Sequence, residues 1–84
     1  MSYHIEFSPR ADRQFRKLAR DIQIALKPAI ESLASNPYPS KIKKLEENVF
    51  RLRKGDFRVV CEVQEKALIV IIIKIGHRKG VYRK

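Results

Sequence analysis

Residues 50–60 read Phe-Arg-Leu-Arg-Lys-Gly-Asp-Phe-Arg-Val-Val, and their alternation decides the architecture. Successive side chains of a strand point to opposite faces. Phe50 and Leu52 therefore share one face, and Arg51 and Arg53 share the other. Beyond the turn, Phe57, Val59 and Cys61 fall on the apolar face, and Arg58, Val60 and Glu62 fall on the arginine face. Lys54-Gly55 is expected to close the hairpin, with glycine taking the positive φ. A two-residue turn there sets Arg51 opposite Arg58, and a longer loop sets Arg53 opposite Arg58. Either register opposes like charges, at a cost of a few tenths to about 1 kcal/mol. A strand pair that carries this cost points to an anionic ligand, and the planar guanidinium fork matches phosphate oxygens.

Downstream, Glu65-Lys66 predicts a second hairpin leading into a strand over residues 68–75. That strand is apolar on both faces, as a central, covered strand is. Gly76, His77, Arg78 and Tyr82 follow it. Glycine there permits close approach of a ligand. Upstream, residues 3–7 alternate as a short strand, with Tyr3, Ile5 and Phe7 expected on the core face. Ser8-Pro9 is a helix start, an N-cap followed by proline at the first helical position. Phe15, Leu18 and Ile22 continue at helical spacing. Asp21 is expected to cap a second helix running to Ser35 and interrupted by Pro28. Asn36-Pro37-Tyr38-Pro39 stops it. Residues 41–48 read as a polar connection with Leu45 tucked inward. The whole predicts an α+β fold: a small, mainly antiparallel β-sheet with two antiparallel helices packed on one face, in a single domain over residues 1–84.

The formal net charge is +10, from 19 Lys and Arg against 9 Asp and Glu. Such a balance implies a polyanionic partner. With one cysteine, Cys61, no internal disulfide can form. A small buried hydrophobe in a reducing cytoplasm fits it. The apolar run over residues 67–73 is far shorter than the roughly 20 residues that span a bilayer, so no membrane role is expected. No acidic cluster suited to a metal is visible, so neither metal nor cofactor is expected.

The pattern Phe-Arg-Leu-Arg-x-Gly-Asp-Phe-Arg-Val-Val, a β-branched strand and then Gly-His-Arg-x-x-Val-Tyr resembles the RelE branch of the RelE/ParE toxins. The resemblance extends through the opening strand, the Ser8-Pro9 helix and the helix leading to Asn36-Pro37. It implies the toxin of a type II toxin–antitoxin pair, a ribosome-dependent endoribonuclease that cuts mRNA in the ribosomal A site. Its partners would be a cognate antitoxin, the ribosome and mRNA. The family's catalytic positions correspond to Arg51, Arg53, Arg58, Arg78 and Tyr82. His77 stands where some relatives carry another basic residue, and its ordinary pKa suits proton transfer near neutral pH. Some relatives have lysine at the positions of Arg51 and Arg53. Arginine stays charged and is a poor general base. The base is then His77 or Tyr82, or catalysis rests on charge and positioning. Two other readings compete: a ParE-like inhibitor of DNA gyrase, and a non-catalytic basic domain that binds nucleic acid.

Overall fold

Ser8 begins the part of the fold that orients everything else. It has extended backbone (φ −64°, ψ 159°), and its hydroxyl accepts the Ala11 N–H at 3.1 Å. Pro9 then supplies a first helical residue that needs no hydrogen-bond donor. In the computed structural model, which describes residues 2–77, the chain forms β1 (His4–Phe7), α1 (Pro9–Arg16), α2 (Arg20–Glu31), a 3-10 turn (Ser32–Ala34), β2 (Lys43–Glu46), β3 (Val49–Lys54), β4 (Phe57–Gln64) and β5 (Ile69–His77). The strands form one sheet in the order β1-β5-β4-β3-β2. β1 runs parallel to β5, and the other neighbours are antiparallel.

The helices cover one face of that sheet. Ala11, Leu26, Ile30 and Leu33 meet Leu52, Val59, Cys61, Val63, Val70, Ile72 and Ile75 in a single core. No polar or charged residue is buried as a whole among the described residues. Cys61 lies in this core, and burial pushes its thiol up to about 11. The expected alpha-plus-beta architecture is the one observed.

Several details depart from expectation for local reasons. Asp21 does not cap α2; Ala19 holds that position without a side-chain bond, and Asp21 sits in the first turn, where its charge suits the helix dipole. The join between the helices is secured instead by Gln23, whose amide donates to the carbonyls of Phe15 and Leu18 at 3.0 Å. The Phe15 carbonyl also accepts the Leu18 N–H at 3.1 Å, so the end of α1 is closed from both sides. Pro28 lies on the exposed side of α2, and the helix passes through it to Glu31 before tightening. Phe7 is 37% exposed rather than core, resting edge-on against Phe15 at 5.8 Å between centroids.

Residues 41–48 are not merely a connection. They contain β2, an edge strand exposed along its length, in which Leu45 is 42% exposed instead of turned inward. The β3–β4 turn is Gly55-Asp56, one residue later than expected, with Gly55 at φ 61°. This sets Arg53 directly opposite Arg58, and Arg51 opposite Val60. The β4–β5 turn spans four residues, 65–68, between the paired Gln64 and Ile69.

Candidate phosphate site on the open sheet face

The face away from the helices carries Arg51, Arg53 and Arg58, because cross-strand partners share a face and alternate residues repeat it. A bulge in β5 decides what joins them. Cys61 pairs with Ile72, but Val60 pairs with Lys74, so Ile73 is an extra residue in β5. The insertion reverses the parity of the strand. Val70 and Ile72 point into the core before it, and Ile75 does so after it. Without the insertion Lys74 would face the core. With it, Lys74 stands on the arginine face.

The bulge is held by α1. The Ser8 amide donates to the Ile72 carbonyl at 2.9 Å and the Ser8 hydroxyl to the Ile73 carbonyl at 2.8 Å. The Ile75 amide donates to the Gln14 side-chain carbonyl at 2.7 Å. The carbonyl of the inserted Ile73 is thereby satisfied by the N-cap of α1 and the Ile75 amide by α1 itself, while the Ser8 amide continues the β1–β5 ladder.

These residues bound a cavity of about 520 Å³, whose lining holds four cations, Arg10, Arg51, Arg58 and Lys74, together with His77 and with Glu46 as the one carboxylate. No carboxylate lies within ion-pair distance of any of the four among the described residues. The Nε atoms of Arg51 and Arg58 are buried and meet no hydrogen-bond acceptor among the described residues. An unmet buried donor costs about 1–3 kcal/mol, and more when charged. An anion in the cavity would remove that cost. Gly76, paired with Arg58, adds room: a Cβ placed there would meet nothing within 4 Å.

His77 borders both this cavity and the helix side of the sheet. It ends β5 instead of following it, and it pairs with Phe57 on the helix side. The two rings meet edge to face, with centroids 4.8 Å apart. His77 therefore lines the arginine cavity while its ring rests on Phe57, a pairing set by the same parity reversal that brings Lys74 to the arginine face. Arg78 and Tyr82 lie outside the described residues. Arg10 and Lys74 were missed in the sequence. A lysine interrupting an otherwise apolar strand was the available signal, since its charge has to leave the core.

The family described as "ParE toxin of type II toxin-antitoxin system, parDE" matches residues 5–82. The chain belongs to this family. It falls in the RelE branch, as its relatives show. The chain named RelE1 in Methanocaldococcus jannaschii is 34% identical over 88 residues, covering 99% of this chain and 98% of that one. The mRNA interferase toxin RelE of Escherichia coli is 26% identical over 82 residues, covering 94% and 86%. In three dimensions the archaeal RelE–RelB complex from Pyrococcus horikoshii is similar with a TM-score of 0.84, at 23% identity and full coverage of both chains. That last likeness establishes the shared fold. The RelE-like chain is thus a toxin of the type II toxin–antitoxin class.

Among the described residues, no group of His, Cys, Asp and Glu gathers in a way that could hold a metal ion. No helix there is long and apolar enough to cross a membrane.

Proposed function

We propose that this RelE-like toxin is a single-domain endoribonuclease that cuts mRNA in the ribosomal A site, in the cytoplasm, until a cognate antitoxin covers it. The observation that carries the reading is the pair of buried, unpartnered guanidinium Nε donors in one basic cavity. The name of the Escherichia coli relative, an mRNA interferase, supports the reaction class.

The reaction needs no metal. The RNA 2′-hydroxyl attacks the adjacent phosphorus, a P–O2′ bond forms, the P–O5′ bond breaks, and the hydroxyl proton is lost as the 5′ oxygen gains one. Arg51 and Arg58 hold the phosphate and take up the charge that grows on its oxygens in the phosphorane. Arg53 adds field from the same face. Arg78 serves the leaving oxygen, and Tyr82 stacks on a base and orients the hydroxyl. Catalysis rests on charge and positioning, with His77, which lines the same cavity with its ring against Phe57, the candidate proton carrier. Weak acid–base equipment is the reason for requiring the ribosome, which aligns the message.

Primer extension on a translated message tests this. The parent protein should leave discrete stops that Arg58→Ala and Arg78→Ala abolish, and stops unchanged in both variants would reject the nuclease. The family description names ParE toxins, so gyrase inhibition is the second reading. It predicts loss of supercoiling by purified gyrase, with no cuts in any message.

A further inference from the structure

The open face is banded across its strands. Reading the pairings from β2 to β5, one row is Lys43, Arg51, Val60, Lys74. Beside it runs Arg53, Arg58, Gly76. On the other flank lies Glu46, Val49, Glu62, Ile71. Two rows are cationic or open, and the third carries carboxylates. A polyanion moving along the strands from Arg58 would meet Glu62 two rows on. A polyanion moving across the strands along these two rows meets no carboxylate.

Three inter-strand steps of about 4.8 Å give the row from Lys43 to Lys74 a span of roughly 14 Å. Lys74 does not stand alone at its end, because Arg10 from α1 lines the same cavity. Val60 separates Arg51 from Lys74 and is uncharged, so the row offers two cationic stations and not one continuous cluster.

We infer that the cavity holds two successive phosphates of one RNA strand laid across β3, β4 and β5, with Arg51 and Arg58 taking the first and Lys74 with Arg10 taking the second. This rests on the nuclease reading and extends it from a single phosphate to a strand with a direction. Glu62 and Glu46 act as a fence that keeps the strand from turning along β4. The α1 cap takes part indirectly, since Ser8 and Gln14 hold the bulge that delivers Lys74.

The test uses 2′-O-methyl oligonucleotides, whose capped hydroxyl cannot attack: a dinucleotide with one bridging phosphate and a trinucleotide with two. Binding to the full-length toxin is followed by NMR titration, with thermal melts of every variant. The parent should bind the trinucleotide about tenfold more tightly than the dinucleotide, since a second charge-assisted contact is made. In Lys74→Ala, and equally in Lys74→Gln, that ratio should fall below about twofold, and Arg10→Ala should lower it by less. A ratio unchanged in both Lys74 variants, or no preference for two phosphates in the parent, overturns the second station. Arg58→Ala should weaken both ligands alike. If it weakens neither while the Lys74 variants act as expected, the arginine seat fails and the second station stands.

Discussion

The helix-covered face buries seven hydrophobic residues of the sheet against four from the helical segments, without a polar residue among them, and the open face buries two guanidinium Nε atoms that meet no acceptor among the described residues. Both faces belong to the same three central strands, so backbone geometry is not the difference. The covered face lowers free energy by removing apolar surface from water. The open face accepts unmet donors and an Arg53–Arg58 opposition that a face serving only stability would avoid. Folding is thus the work of one side chain in two, and the alternate side chains are left to ligand binding.

The largest effects should separate the two faces cleanly. Arg51→Ala with Arg58→Ala should lower message cleavage by about 10²–10³-fold or more, as removal of charge-stabilising donors does, while the melting temperature holds or rises slightly. A melting point well below the parent would show that the arginines also stabilise the fold. The converse substitution, Ile72→Ala in the core, should cost about 2–5 kcal/mol in urea unfolding. The Ile72→Ala protein that remains folded should still cut. Cleavage lost in proportion to the folded fraction fits the comparison, and cleavage lost beyond it breaks the comparison.

Cys61 sharpens the covered face through pH. Its thiol moves from 9.0 to about 11 because burial disfavours the thiolate. Below pH 9 the thiol is protonated in both states and its contribution is complete. Between about 9 and 11 the unfolded chain ionises and the folded chain does not, so stability falls as pH rises. The loss should approach about 2–3 kcal/mol. Urea unfolding of the parent and of Cys61→Ala across this range gives the difference, which should shrink as pH rises. A constant difference would mean that the thiol ionises as easily folded as unfolded.

The covered face and the arginine parity were legible because apolar and basic residues alternate through Phe50–Arg53 and Phe57–Arg58. Alternation is the one signal a half-buried strand gives. β2 was not legible, since an edge strand exposed along its length has no apolar period to show. The bulge was hidden for the opposite reason. From Ile69 to Ile73 each residue is apolar, and a uniform run carries no parity. Overlooking Lys74 has that single cause. The hairpin turn shifted by one residue because Lys54-Gly55 and Gly55-Asp56 both supply a glycine, and only the pairing of Lys54 with Phe57 chooses between them.

That hairpin offers a further test. Gly55 sits at φ 61° with nothing within 4 Å of an added Cβ. Gly55→Ala should therefore cost about 1 kcal/mol from backbone strain alone. Because the strain is confined to the turn, the register of Arg53 against Arg58 should survive in amide-exchange patterns, and cleavage with it. An exchange pattern shifted by one residue would mean that the turn, and not the alternation of the strands, sets the register.

The smallest effect tests the like-charge opposition by itself. Arg53 is exposed, whereas Arg58 is partly buried with its Nε enclosed. Removing the charge at Arg53 relieves the repulsion without opening a cavity or leaving a buried donor. Arg53→Gln should raise stability by a few tenths of a kcal/mol, an increment that shrinks with added salt because exposed charges are screened. The two-residue separation of Arg51 from Arg53 leaves the cavity lining intact, since Arg53 is not part of it. Cleavage should then fall far less than in Arg58→Ala. If Arg53→Gln instead destabilises the protein at low salt, the opposed arginines are not in conflict, and the stability that the open face gives up for anion binding lies in the two enclosed Nε atoms alone.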